Sequence, residues 1–143
     1  MKITEVRFQL LEIEHDGYHL LLEGLINGRK ANFIIDTGAS RTVFDQLSIS
    51  KFINNLEMDD NERLSTGIGT NTLASQVTVI ENLQFGDLII KNYTAIVIDL
   101  QHVHSTYSFL KLPDINGILG GDILKDYKAV INYKRKKLKF YFR

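Results

Sequence analysis

Short runs of bulky apolar residues, several of them alternating with polar ones, recur along the chain and predict β-strands. The first such runs are Arg7 to Glu14, Tyr18 to Leu25 and the ANFII segment that ends at Ile35. Alternation with a period of two is typical of a strand with one buried face. The pair Asn27-Gly28 lies between the second and third runs and predicts a tight hairpin turn, because both residue types accept a positive φ.

The second half of the chain repeats this pattern. Further strands are predicted at residues 77–80, 88–90 and 93–99, with a turn at Gly86-Asp87. The C-terminal stretch reads as two strands, AVINY and LKFYF, joined by the basic turn Lys134 to Lys137. Many short strands at close spacing favour a small closed or sandwiched β domain.

Helical signals are scarce. Gly121 to Tyr127 is the best candidate for a short helix, and Phe44 to Phe52 has room for a turn or two. The chain contains one proline, Pro113, and no linker rich in serine or glycine. A length of 143 residues suits one hydrophobic core, so we expect a single all-β domain over residues 1–143.

Charge and cysteine content narrow the chemistry. The 17 basic and 17 acidic residues cancel, which removes the usual electrostatic reason to expect nucleic acid or an anionic membrane surface. The chain has no cysteine, which excludes disulfides, thiolate-bound zinc, iron–sulfur clusters and a thiol nucleophile. Any chemistry must therefore come from oxygen, histidine or lysine groups.

Targeting and metal signals are weak. The N-terminal stretch lacks the apolar core of a signal peptide, and no apolar run is long enough to span a bilayer, so we expect a cytoplasmic location without membrane contact. His102-x-His104 lacks an adjacent third ligand and is interpreted as an exposed strand end. The acidic run Glu57 to Glu62 lacks the spacing of a calcium loop, so no metal is expected.

The segment Phe33 to Ser40 (FIIDTGAS) combines an apolar strand with polar groups at its end. Asp36 follows the strand directly, where a carboxylate is costly unless it is paired or hydrogen-bonded. Thr37 adds a hydroxyl group, and Gly38 lets backbone N–H groups approach closely. The alternative interpretation is an ordinary Asx or Ser/Thr turn.

A second segment, Asn116 to Leu124 (NGILGGDIL), places two apolar residues before a glycine and a short helix. On its own it is equally consistent with a glycine-rich loop that enters a helix, with Asp122 in the first turn, where the helix dipole favours an acid.

Together and in this order, the two segments resemble the retropepsin-like aspartic proteases, closest in pattern to bacterial and cellular members. The resemblance implies a small closed β-barrel of the acid-protease type with one short helix in the C-terminal half. It makes Asp36-Thr37-Gly38 the catalytic loop and Ala39 and Ser40 its continuation. Ile118-Leu119-Gly120 would cross behind that loop and lead into the helix.

The same resemblance implies a homodimer. The family's chemistry uses two carboxylates that share one proton and hold one water, and this chain has a single D-T-G. The second Asp36 must then come from a two-fold partner. Thr37 would hydrogen-bond to the partner's loop, and the Gly38 N–H would point toward a catalytic carboxylate.

A flap over the substrate is also implied. Ser65 to Thr72 is small and glycine-rich, with Gly67, Ile68 and Gly69 as candidate substrate-binding residues and Ile68 at the tip. An ordinary exposed turn is the alternative.

The chain departs from the retroviral pattern in several places. Ser40 and Gly121 stand where retroviral enzymes carry a paired aspartate and arginine. Extra length falls in Gln46 to Glu62 and in His102 to Leu112, where it would shape or partly occlude the cleft. Ala39 replaces the serine of pepsin-like enzymes, which predicts a less acidic optimum because one donor to the ionised dyad is missing.

The function expected from this reading is an aspartic endopeptidase that acts on peptides or proteins as a homodimer, without metal or cofactor. The alternative is a catalytically silent dimer of the same fold that binds peptides or serves as an interaction module. A third possibility is a narrow processing enzyme that acts on one partner or on itself.

Overall fold

The chain is represented by a computed structural model that describes residues 1–15, 17–60 and 75–143. Within these ranges the backbone is mainly extended. The strands are β1 (Lys2–Glu12), β2 (Tyr18–Ile26), β3 (Arg29–Ile35), β4 (Val43–Asp45), β5 (Asp59–Asp60), β6 (Gln76–Phe85), β7 (Leu88–Ile98), β8 (Gly117–Leu119), β9 (Val130–Asn132) and β10 (Lys137–Phe142).

Two short α-helices accompany these strands in the described residues. Helix α2 (Gly121–Asp126) is the helix that the sequence predicts at Gly121 to Tyr127. Helix α1 (Gln101–Phe109) was not predicted. It overlaps the stretch His102 to Leu112, which was interpreted as extra length relative to the retroviral pattern. The helical turn expected within Phe44 to Phe52 is limited to a 3-10 turn at Ile49–Lys51. Among the described residues, no helix is long and apolar enough to cross a membrane.

Six strands close into a barrel in the order β2-β3-β8-β4-β7-β6, and a β6–β2 pairing completes the ring. Two pairings are parallel, β3 with β8 and β4 with β7, whereas β8 and β4 are antiparallel. The small closed β-barrel expected from the sequence is confirmed. Because β3 and β8 run in parallel, their C-terminal ends lie side by side.

The alternation along β3 separates two packing layers. Ala31, Phe33 and Ile35 point into the barrel and are at most 7% exposed, as members of its main core. Ile34 points the other way and belongs to a second cluster on the outer face of the barrel. Aromatic packing fills the barrel interior, where the Phe33 and Phe85 rings meet edge to face with centroids 5.2 Å apart.

The hairpin between β2 and β3 has the turn that its sequence predicts. Asn27 and Gly28 have φ values of 50° and 83°, and the strands pair from Ile26 with Arg29 onward. Two consecutive positive φ angles match the right-handed twist of the flanking strands, which is why Asn-Gly is favoured there.

A terminal sheet extends from the barrel through β1, β10 and β9. The two ends of the chain pair in antiparallel register, from Lys2 opposite Phe142 to Arg7 opposite Lys137. Strands β9 and β10 form the predicted C-terminal hairpin around its basic turn. This sheet therefore ties both ends of the described chain to the barrel.

Candidate active site

Asp36 stands at the point where strand β3 leaves the barrel. Its backbone N–H donates to the Leu119 carbonyl at 2.9 Å, which continues the β3–β8 ladder by one residue. The Gly38 N–H donates to Asp36 Oδ1 at 2.9 Å, and the Ala39 N–H donates to the Asp36 carbonyl at 3.2 Å. The result is a tight turn that orients an exposed carboxylate on a buried strand.

Strand β8 delivers the second motif behind this turn. Because β8 runs parallel to β3, with Ile35 opposite Leu119, Gly120 arrives beside the loop that follows Asp36. A Cβ on Gly120 would lie 2.6 Å from the carbonyl carbon and oxygen of Arg41. The Gly121 N–H donates to the Ala39 carbonyl at 2.7 Å. Glycine at position 120 is thus required by the closeness of the two backbones.

Thr42 and Asp122 join the two motifs through side chains. Both the N–H and the hydroxyl of Thr42 donate to Asp122 Oδ1, at 2.8 Å and 2.7 Å. The Thr42 hydroxyl oxygen in turn accepts the Gly120 N–H at 2.9 Å. Thr42 is fully buried, whereas Asp122 is half-buried, so the donors of Thr42 depend on this carboxylate as their acceptor.

Tyr93 on β7 completes this network. Its hydroxyl donates to the second oxygen of the Asp122 carboxylate at 2.6 Å. Burial, followed by the hydrogen bond to Asp122, raises the pKa of Tyr93 well above its ordinary range. The phenol therefore stays protonated and keeps donating at any pH at which the protein would work.

The structure brings the predicted residues of both motifs together. They form one cluster in which the loop is largely exposed and the crossing strand largely buried: Asp36, Thr37, Gly38, Ala39, Ser40, Ile118, Leu119 and Gly120. The predicted flap residues Gly67, Ile68 and Gly69 lie outside the described residues.

Sequence reasoning missed Thr42 and Tyr93 as members of this site. Tyr93 lies in a predicted strand, where an aromatic residue between the polar residues Asn92 and Thr94 suggests simple packing on one face. The sequence places Asp122 in the first turn of the predicted helix, and no nearby residue indicates its hydrogen-bond partners. The available signal was the pair of hydrogen-bonding side chains at Thr42 and Asp122, which follow Ser40 and Gly120 by two residues each.

The His102-x-His104 pair lies on helix α1, so its interpretation as a strand end was wrong. His104 Nε2 lies 2.9 Å from Asp45 Oδ2, and Asp45 is only 1% exposed. The same Asp45 oxygen accepts the Ser48 N–H at 3.0 Å. His104 thus contacts β4 through Asp45. Within residues 1–15, 17–60 and 75–143, no group of three or more His, Asp or Glu side chains is arranged to bind a metal.

Several solved structures are similar to this chain, at identities that establish the fold alone. A retropepsin-like aspartic protease from Rickettsia conorii is 17% identical, with a TM-score of 0.58 over 98% of this chain and 91% of that one. EIAV protease in complex with the inhibitor HBY-793 is 24% identical, with a TM-score of 0.52 over 74% of this chain and 85% of that one. The retroviral protease-like domain of Ddi1 from Leishmania major is 15% identical, with a TM-score of 0.52 over 85% and 87%.

No curated protein has a sequence that matches this chain. A family model described as aspartyl protease matches residues 22–123, more than half of the chain and all of the cluster around Asp36. On this match, and on the loop geometry that accompanies it, the chain belongs to the aspartyl protease family.

Proposed function

We propose that this chain is an aspartic endopeptidase that hydrolyses peptide bonds between two Asp36 carboxylates, one from each chain of a homodimer. The observation that carries the proposal is the placement of Asp36. Its carboxylate is exposed, yet the turn that bears it is held by hydrogen bonds to Gly38 and Leu119. A rigidly held, outward-facing acid is what a shared catalytic pair requires.

Two carboxylates are needed because one alone cannot act as both base and acid. When two carboxylates lie close together, their mutual repulsion opposes ionisation of both, so the pair retains one proton. The ionised member takes a proton from water as the water oxygen bonds to the peptide carbonyl carbon. The protonated member gives its proton to the carbonyl oxygen. As the resulting diol collapses and the C–N bond breaks, the carboxyl that took the water proton gives it to the leaving nitrogen, and a diol hydroxyl returns a proton to the other carboxylate.

The content of the chain supports the proposed dimer. Residues 1–143 contain one D-T-G, and Asp122 is engaged by Thr42 and Tyr93, so it does not serve as the second acid. A two-fold axis beside Asp36 would supply an identical carboxylate from an identical loop. The exposure of Asp36 and Thr37 in a single chain supports a partner at this surface.

The experiment that tests the proposal compares wild type with Asp36→Asn on a mixed peptide library. We expect cleavage by wild type and a loss of at least about 10³-fold in the variant, because the amide cannot take the water proton. Asp114→Asn, which changes another exposed aspartate, is the matched control and should retain full activity.

Equal behaviour of wild type and Asp36→Asn would contradict the protease proposal. If in addition both bind peptides equally, the chain is a catalytically silent dimeric binding module of the same fold. If only one protein or the chain itself is cleaved among many substrates tested, a narrow processing enzyme is the better description.

A further inference from the structure

Basic residues are concentrated at the C-terminal end of the chain, although the chain as a whole carries no net charge. Residues 127–143 hold seven of the 17 lysines and arginines and none of the 17 acidic residues. Five of the seven lie in the turn between β9 and β10 or on β10 itself. The chain is therefore neutral on average, but its charge is unevenly distributed.

Hydrogen bonds fix the turn that carries the first three of these cations. Asn132 Oδ1 accepts the Arg135 N–H at 3.0 Å, and the Lys136 carbonyl accepts the Phe8 N–H at 2.9 Å. The turn residues are all exposed, so their side chains face solvent while the backbone is held against β1. The turn thus presents its cations on a fixed backbone.

Strand β10 extends this charge along the outer face of the terminal sheet. Leu138 and Phe140 are buried in the core. Lys137 and Lys139 alternate with them, so these half-buried lysines project from the opposite face, about 7 Å apart. Arg7 of β1 lies opposite Lys137 in register and adds a cation to the same face. Together with the turn, these residues form what we call the basic face: Arg7, Lys134, Arg135, Lys136, Lys137 and Lys139.

The cations of the basic face have no carboxylate partner among residues 1–15, 17–60 and 75–143. Glu5 lies opposite Lys139 in register, but the ion pairs within 4.0 Å in these ranges all involve histidine. Lys139 Nζ instead lies 6.0 Å from the centre of the Tyr141 ring. Unpaired like charges repel one another, so an anion that binds here would relieve repulsion within the protein.

Strand β9 forms an edge of the sheet beside the basic face. It pairs with β10 on one side and, among the described strands, has no neighbour on the other. Natural edge strands commonly carry charged side chains or proline, but β9 (Val130–Asn132) contains neither, and its Val130 is 47% exposed. An extended peptide adds to such an edge through main-chain hydrogen bonds, which a nucleic acid or a lipid headgroup does not supply.

We infer that the β9 edge and the basic face together bind an extended acidic peptide segment, which adds to β9 as a further strand. Side chains on one face of an added strand recur every two residues, at about 7 Å, which is the spacing of Lys137 and Lys139. The favoured ligand therefore has Asp or Glu at alternate positions. The binding itself goes beyond the proposed endopeptidase function, whereas recruitment of acidic substrates through this surface rests on it.

The surface is separate from the candidate active site. In strand order β9 lies four steps from β3, the strand that leads to Asp36, which corresponds to about 19 Å along the sheet. About six extended residues span that distance. A substrate with its acidic segment about ten residues from the scissile bond can therefore reach both places on one chain.

The first test measures binding by fluorescence anisotropy, with the full-length Asp36→Asn chain so that cleavage does not interfere. The probe is a labelled peptide in which glutamate alternates with threonine, and a peptide of alternating lysine and threonine is its control. We expect only the glutamate peptide to bind. Its affinity should fall at least about tenfold between about 50 and about 300 mM salt, because salt screens exposed charges.

Two matched variants of this chain test the position of the surface. Lys134→Glu combined with Arg135→Glu should weaken binding of the glutamate peptide at least about tenfold. Lys30→Glu combined with Lys51→Glu changes the net charge equally at exposed positions outside the hairpin and should keep the parent affinity. Equal affinities of the two double variants would overturn the inference.

A third peptide tests the addition to β9. It has proline in place of threonine, so it keeps the carboxylates but loses every second main-chain donor. We expect it to bind at least about fivefold more weakly than the glutamate–threonine peptide. Equal affinities of the two peptides would show that charge alone holds the ligand and would overturn strand addition.

Other occupants of the surface are tested with a single-stranded oligonucleotide of uridines and with vesicles of anionic phospholipid. Affinity for either that equals or exceeds the affinity for the glutamate peptide would overturn the inference. Sedimentation of the unlabelled protein examines a second copy as the occupant. Loss of self-association in the hairpin double variant, with none in the Lys30 and Lys51 variant, would also overturn it.

Cleavage by wild type separates this inference from the proposed function. A cleavable peptide is compared with the same peptide joined through about ten Gly and Ser residues to the glutamate–threonine segment. The acidic segment should lower KM at least about fivefold with kcat unchanged, and the hairpin double variant should lose this gain. If neither peptide is cleaved but the glutamate peptide binds, the proposed function fails and the inference stands. If both are cleaved and the acidic segment affects neither KM nor binding, the inference fails and the proposed function stands.

Discussion

Thr42 and Asp122 lie 80 positions apart and are joined by two hydrogen bonds to one carboxylate oxygen, at 2.8 Å and 2.7 Å. Thr42 ends the loop that begins at Asp36, and Asp122 lies in the first turn of helix α2, which follows strand β8. The contact therefore joins the loop that bears Asp36 to the segment behind it. Tyr93 binds the other carboxylate oxygen and holds Asp122 in place.

Asp122→Ala should destabilise the protein by about 3 kcal/mol, because the buried N–H and hydroxyl of Thr42 and the hydroxyl of Tyr93 lose their acceptor. Urea unfolding of the purified protein measures this change. Asp126→Ala, an exposed acid on the same helix, is the control and should change stability by less than about 0.5 kcal/mol. A loss in Asp122→Ala no larger than in the control would contradict the closing role of the contact.

Gly120→Ala should be more harmful than Gly121→Ala, although the residues are adjacent. A Cβ at position 120 would lie 2.6 Å from backbone atoms of Arg41, which cannot move aside as a side chain would. At position 121 the nearest contact, to the Ala39 carbonyl oxygen, is 3.3 Å. We expect a loss of at least about 2 kcal/mol in the first variant and less than about 1 kcal/mol in the second, measured by thermal and urea unfolding. Equal losses would show that the backbones do not meet as closely as described.

Alkaline pH should destabilise the fold through two buried tyrosines. The pKa values of Tyr93 and Tyr107 are raised above the ordinary value of 10.0, in Tyr107 to about 12. Folding favours the neutral phenols, so this stability is fully present below about pH 10 and is lost as pH rises through the raised values. Tyr93→Phe and Tyr107→Phe should each flatten the decline of unfolding free energy above pH 10. Tyr18→Phe, at a tyrosine that is 62% exposed, should follow the wild-type curve.

The pH–rate profile of the proposed protease should lie at a less acidic range than that of pepsin-like enzymes. Ala39 supplies no side-chain donor to the ionised pair, and a hydrogen bond to the charged form is what lowers the pKa of a carboxylate. Ala39→Ser should restore that donor and shift the acidic limb of kcat/KM to lower pH. A wild-type profile that peaks well below about pH 4 would contradict this prediction.

Much of the fold could be predicted from the sequence because local chemistry determines it. Asn27-Gly28 specifies its turn, alternation specifies β3, and Gly121 opens a short helix before apolar Ile123 and Leu124. Helix α1 could not be predicted in this way. Its Tyr107 is buried and its Val103 half-buried only through tertiary packing on β2 and β3, and polar residues fill most of its other positions.

The candidate site, like the fold, could be predicted only where its signals are local in sequence. The D-T-G turn and the I-L-G segment each carry a local signature, so Asp36 and Gly120 could be found from sequence order alone. The contacts that connect them depend on which strands become neighbours. Tyr93 reaches Asp122 because β7 pairs with β4, which in turn pairs with β8, and no local pattern records these pairings.

The central claim is that each active site takes one Asp36 from each of two identical chains, and subunit mixing tests it most directly. Wild type and Asp36→Asn are mixed in equal amounts, allowed to exchange subunits, and assayed for peptide cleavage against unmixed wild type at the same concentration of wild-type chain. If both carboxylates are required, only dimers with two wild-type chains are active, and the mixture should show about half of the activity of that reference, or about a quarter per total chain. Activity equal to the reference would mean that each chain cleaves on its own and would contradict the account.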